Sequence, residues 1–191
     1  MSGLSDGAGS APNVALFSSE GTKPTYRYGA LGFATVASPT DVLVIQGSAS
    51  KTIRIKRVTV SGVATAAANM PAQLIRRSTA GTLGSAVLTA ITASKHDVND
   101  ATPTATVSSV GTANYTALGT SAGVLGAGRI QLSAAATGLA VTPLIWDFAT
   151  RQDKAVILRG TSDFLCINLN GGALPLGAVI DFEIQTEEDN S

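Results

Sequence analysis

The sequence is poor in the groups that carry out chemistry. It holds one histidine, His96, and one cysteine, Cys166. A lone histidine excludes a multi-histidine metal centre, and a lone cysteine excludes an internal disulfide and a paired-cysteine zinc site. Charged residues are 14% of the chain, against a usual share of about 25%. Lys plus Arg and Asp plus Glu are 13 each, so the formal net charge is zero. A nucleic-acid or membrane-surface protein needs a basic excess, and none exists here, so neither is an expected partner. No apolar run approaches the ~18 residues of a membrane-crossing helix. The opening Met1-Ser2-Gly3-Leu4-Ser5-Asp6 lacks the basic and apolar regions of a secretory signal, so none is expected.

What fills the chain instead is small. Ala, Gly, Ser and Thr make up about half of it, a composition suited to tight sheets, turns and extended segments. Hydrophobic residues are still 45% of the 191. That is enough to bury a core without metals or disulfides, so a folded chain is expected rather than a disordered one.

Residues 1–40 read differently from the rest. They are rich in Gly, Ser, Ala, Pro and Thr, carry Phe17, Tyr26, Tyr28 and Phe33, and show no lasting period. This predicts an extended N-terminal arm over 1–40, either a loose terminus or a segment ordered by lying on a neighbour. The body, 41–191, opens with Val42-Leu43-Val44-Ile45. In Thr52–Val60, Ile53 and Ile55 alternate with Arg54 and Lys56, and Val58 and Val60 resume one residue out of step. A bulge near Lys56-Arg57 would keep all four apolar side chains on one face. Further strands are expected at 71–77, 86–92, 104–110, 129–133, 143–148, 155–160 and 163–170. In the last strand, 178–185, Ile180, Phe182 and Ile184 face inward. Residues 111–128, with Gly123-Val124-Leu125-Gly126-Ala127-Gly128, read as a long flexible loop. The Ala-rich stretch 62–69 is the best helix candidate and too short to be stable alone. Short strands at regular spacing predict an all-β chain, an antiparallel β-sandwich of jelly-roll type.

Each candidate for chemistry has a plainer structural role beside it. His96-Asp97 invites a catalytic triad, but no serine sits in a Gly-x-Ser-x-Gly elbow and adjacent residues do not orient one another. A surface-loop histidine is expected. Asp97, Asn99 and Asp100 offer hard oxygen ligands without the spacing of a calcium loop, and an Asx turn is expected. Asn114-Tyr115-Thr116 matches a glycosylation sequon by chance. Trp146 is either a sugar-stacking platform or a core residue, and Cys166 is expected to be an inert core thiol. Lys51, Arg54, Lys56, Arg57, Arg76 and Arg77 form a basic block, and Asp181, Glu183, Glu187, Glu188 and Asp189 form an acidic end. These are either solvated strand faces or complementary strands, within one subunit or across an interface. The candidate interaction residues are therefore Phe17, Tyr26, Tyr28 and Phe33 in the arm, and Arg54, Lys56, Arg57, Arg76 and Arg77 in the basic block.

Several runs resemble a family of tailed-bacteriophage virion proteins. They are Leu74–Ala80 followed by Gly81-Thr82, and Lys95-His96-Asp97-Val98-Asn99-Asp100 followed by Ala101–Val107. Trp146-Asp147-Phe148, Ile157–Thr161, Ile167–Gly171 and the acidic last strand follow in the same order. The likeness spans about residues 50–188 and leaves 1–40 and 111–128 outside it. It implies a non-enzymatic β-sandwich without cofactor: a capsid decoration, or cement, protein on the outer head surface that stabilises the shell. Its implied partners are the major capsid protein and copies of itself, a trimer being one possible order, on a virion assembled in the host cytoplasm. The alternative is a tail, fibre or neck component whose sandwich binds a receptor or glycan.

Overall fold

The computed structural model describes residues 23–111, 113–137, 141–148 and 154–190. The chain is all-β, with no α-helix among the described residues. Its strands are β1 (Thr25–Phe33), β2 (Asp41–Gln46), β3 (Lys51–Ala64), β4 (Ala68–Arg77), β5 (Val87–Ala90), β6 (Ala93–Lys95), β7 (Thr106–Gly111), β8 (Ser121–Ala134), β9 (Leu144–Asp147), β10 (Val156–Leu158), β11 (Phe164–Asn168) and β12 (Val179–Asn190). A short 3-10 turn, Ala135–Thr137, follows β8.

The strands form one curled, mixed sheet in the order β5-β7-β2-β11-β4-β8-β3-β12-β1-β6. Its ladders are antiparallel except where the end of β8 runs parallel to β3, at Val63↔Ser133 and Ala64↔Ala134. The free edge of β3 is shared in sequence by β10, β9 and β8. The first and last strands of the order, β5 and β6, are separated by only Ile91 and Thr92. One stretch of chain thus leaves β7 and joins β1, so the curled sheet returns almost to its own beginning.

The strand periods explain the core. Ile53, Ile55, Val58 and Val60 are all fully buried. The expected bulge is present: Ile55 faces Thr186 and Arg57 faces Gln185, leaving Lys56 as the extra residue. That insertion restores the apolar face after the step in the sequence. Ile180, Phe182 and Ile184 of β12 pack inward as the alternation requires. They meet Leu43, Ile45, Leu74, Leu165 and Ile167 from the other arc of the sheet in one cluster. Each such side chain contributes about 1.5–3 kcal/mol by leaving water. A second, smaller cluster lies on the opposite face of β2, β7 and β11: Val44, Val110, Phe164 and Cys166, with Ala86 and Tyr115 from the covering loops.

Two sequence expectations need correction. The arm assigned to 1–40 does not extend through 25–33, because this stretch is β1, paired with β12 from Thr25↔Glu187 to Phe33↔Ile180. The alternation there is carried by two tyrosines, which a scan for aliphatic residues passes over. The stretch 62–69, too short for a helix stable alone, holds the end of β3, a bend and the start of β4. Finally, 121–128 is not a flexible loop but the first half of β8, paired along β4 from Ser121↔Arg77 to Leu132↔Ala68. Its glycines are sockets. A Cβ on Gly126 would overlap the Trp146 indole, and one on Gly128 would lie 2.7 Å from Leu144 Cδ1. Gly126→Ala should therefore cost about 1–3 kcal/mol by overpacking, read as a lower urea midpoint with an unchanged slope. An unchanged midpoint would mean that Trp146 does not occupy that socket.

Candidate functional site

Strand register decides where the charged residues meet. On the outer face, acidic β12 lies between β3 and β1, both of which carry cations. Arg54 and Lys23 reach Asp189 from the two sides, the latter at 3.0 Å. Lys56 Nζ lies 3.1 Å from Glu187 Oε1, and Arg27 donates to Glu183 at 2.8 Å. Burial alone would push Asp189 up, but hydrogen bonds from Arg54 and Lys23 outweigh it and hold this carboxyl below its ordinary value. Arg57 donates to Asp147 on β9 at 2.6 Å, and Arg76 forks onto Asp163, with Nε at 2.9 Å. Of the two readings of the basic block, complementary strands within one subunit is the arrangement found. These exposed and half-exposed pairs are worth little in stability; what they do is occupy the cations.

Arg77 is different. Its side chain is 5% exposed. Nε and Nη2 fork onto Asp41 at 2.6 and 2.8 Å, and Nη1 donates to the Gly119 carbonyl at 2.7 Å. Asn168 Nδ2 donates to the same Asp41 at 2.7 Å. Burial opposes the guanidinium charge, but Asp41 more than offsets it and the Arg77 pKa is raised. This pair borders a cavity of about 180 Å³ lined by Val44, Leu83, Leu88, Tyr115, Phe164 and Cys166. Burial, reinforced by Asp41, pushes the Cys166 thiol far up. The thiol stays protonated, which makes it a poor nucleophile. Burial also pushes the Tyr115 hydroxyl up to about 12.

The tyrosines of β1 face inward and hold a loop. Tyr26 and Tyr28 are buried, and their hydroxyls donate to the Ala101 and Ala105 carbonyls at 2.8 and 3.2 Å. Burial first, and the Glu188 charge second, raise both hydroxyl pKa values. Glu188, 2% exposed, accepts the Thr104 and Ala105 amide N–H groups at 2.7 and 3.0 Å and the Thr104 hydroxyl at 3.0 Å. Lys51 Nζ lies 3.4 Å away and supplies the counter-charge. Phe33 is half-buried, its ring centroid 6.0 Å from that of Phe182. Phe17 lies outside the described residues.

The remaining candidates take structural places. His96 is exposed and its Nε2 accepts from Arg27 Nε at 3.1 Å. Asp97 Oδ1 accepts the Asn99 amide at 2.9 Å, the Asx turn expected of that loop. No group of three His, Cys, Asp or Glu able to hold a metal occurs among the described residues. Trp146 is buried against β8, which removes it as a glycan platform. Asn114 is also committed within the fold: its amide accepts from Thr40 N at 2.9 Å and donates to Ser38 O at 2.8 Å. Asp41, Asp163 and Glu188 were not legible as partners of a particular cation or amide. For Glu188 a signal existed, since it continues the inward parity of Ile180, Phe182 and Ile184.

The fold and these contacts define an all-β protein whose described cations are largely paired within the chain. Comparison with known protein families, curated proteins and solved structures gives no match.

Proposed function

We propose that this is a non-enzymatic structural protein of a tailed-phage virion, a decoration protein that binds the outer head surface and stabilises the shell. The finer fold reading goes with it: the two arcs of the curled sheet face each other across one core, as in a jelly-roll sandwich. The proposed partners are the major capsid protein and further copies of this chain. The sequence likeness over 50–188 supports the class. The structural observation that carries the reading is where charge is spent. With Arg54, Lys56, Arg57, Arg76 and Arg77 all held by carboxylates of the same chain, recognition falls to apolar side chains and backbone edges. Contacts of that kind, repeated over a lattice, gain from multivalency even when each is weak.

The test is copy number. Particles of the phage that encodes the chain are purified, and the chain is quantified by mass spectrometry against the major capsid protein. Hundreds of copies in fixed ratio are expected. A few dozen or fewer would move the assignment to tail, fibre or neck, and absence from particles would overturn it.

A further inference from the structure

A groove of about 530 Å³ opens where the curled sheet fails to close. The β1–β6 ladder stops at Tyr28↔Ala93, while β1 continues along β12 to Phe33. Beyond that point the chain of β5 diverges toward β7, and the groove lies between β5 and the second half of β1. Its walls are mostly small: Gly29, Ala30, Gly32 and Ala34 on one side, Thr89 and Ala90 on the other. Small walls let a backbone come close.

The two lips differ. On β1 the pairing with β12 shifts register between Ala30 and Phe33, and Gly32, at φ 65°, donates its N–H to Asp181 Oδ1 at 2.7 Å. Such a bulge blunts an edge. The β5 edge is not blunted. Ile91 N–H donates to Val107 O, so by alternation Val87 and Thr89 bond to β7 while Leu88 and Ala90 turn their N–H and C=O outward. No strand among the described residues pairs with that side. All four β5 residues are exposed, Val87 at 50% and Leu88 at 41%. From Ser78 to Ser94 there is no charge and no proline, the two usual guards of an edge.

We infer that this edge accepts an extended strand, the segment Asn13–Ser18 from the N-terminus of a second copy of the chain. The 22 residues before Lys23 supply it. Within them Gly7–Ser19 is uncharged, matching the edge, and Asn13-Val14-Ala15-Leu16-Phe17-Ser18 offers a β-prone run whose Phe17 can fill the groove beside Phe33. The geometry favours a second copy over the chain's own segment. The chain enters β1 at the end far from the groove, where Lys23 pairs with Asp189 and Pro24 O accepts the Glu188 N–H. There β6 covers the outer edge of β1 between that entry and the groove. This inference rests on the self-association in the proposed function, not on its placement on a virion.

The test uses the purified full-length chain without particles, so a failed copy-number result and a failed strand exchange are distinguishable. Light scattering should give a mass above the 19.2 kDa monomer. Phe17→Asp and Ala90→Pro should each shift it to monomer with little change in the unfolding midpoint. The proline removes an outward N–H and leaves the β5–β7 ladder intact. Mixed F17C and A90C chains should form a disulfide between chains. A monomeric parent, an oligomer that survives both substitutions, or cross-linking confined within an F17C/A90C double variant would overturn the inference.

Discussion

Asp41→Ala is expected to be the most damaging single substitution described for this chain, costing about 3–5 kcal/mol. The reason is the state left behind. Arg77 would keep its charge while 5% exposed, with the neutral Gly119 carbonyl still accepting from it but no carboxylate. Asn168 would lose its acceptor as well. For a domain of this size the melting temperature should fall by about 2–4 °C for each kcal/mol. Adding Arg77→Met should recover part of the loss, because no unpaired charge then remains in the interior. The pair is thus a poor source of net stability but costly to break on one side. A loss below about 1 kcal/mol in the Asp41→Ala chain would show that water reaches Arg77 and replaces the carboxylate.

Glu188→Ala should have the second largest effect. It orphans two backbone donors, Thr104 N and Ala105 N, together with the Thr104 hydroxyl. A buried donor left unsatisfied costs about 1–3 kcal/mol. Lys51 would also lose its counter-charge. The damage should be local as well as global: amide exchange at Thr104 and Ala105 should accelerate more than exchange at Leu165 or Ile167 in the core. Glu188→Gln, which keeps one oxygen acceptor, should lose less. Equal exchange at Thr104 and Ala105 in the parent and Glu188→Ala chains would refute the clamp. The tyrosines give this clamp its second half, since their hydroxyls hold the carbonyls of Ala101 and Ala105 while Glu188 holds the amides. The loop that carries His96 and Asp97 is therefore anchored from below, while Asp97 forms an Asx turn with Asn99 and His96 accepts from Arg27.

Much of the architecture was determined by the sequence alone. Period-two alternation in 52–60 and 178–185 places the apolar face of β3 and β12, and the one-residue slip at Lys56-Arg57 demands the bulge that is found, because a strand out of register would turn Val58 and Val60 to water. The all-β class follows from the same alternation. Where the sequence misleads, small residues are the cause. Glycine carries no apolar signal, so Gly126 and Gly128 read as a loop, although each is a strand position made narrow to receive Trp146 or Leu144 from β9. Tyr26 and Tyr28 read as arm residues because their polar ends find partners only after the chain folds, 75 and 77 positions away. The same distance hides the ionic partners. Arg77 lies 36 residues from Asp41, and Arg54 lies 135 from Asp189, so no local spacing could pair them. Strand register, fixed by the buried face, is what brings each cation to one carboxylate rather than another, and only the curl of the whole sheet leaves the edge of β5 without a neighbour among the described residues.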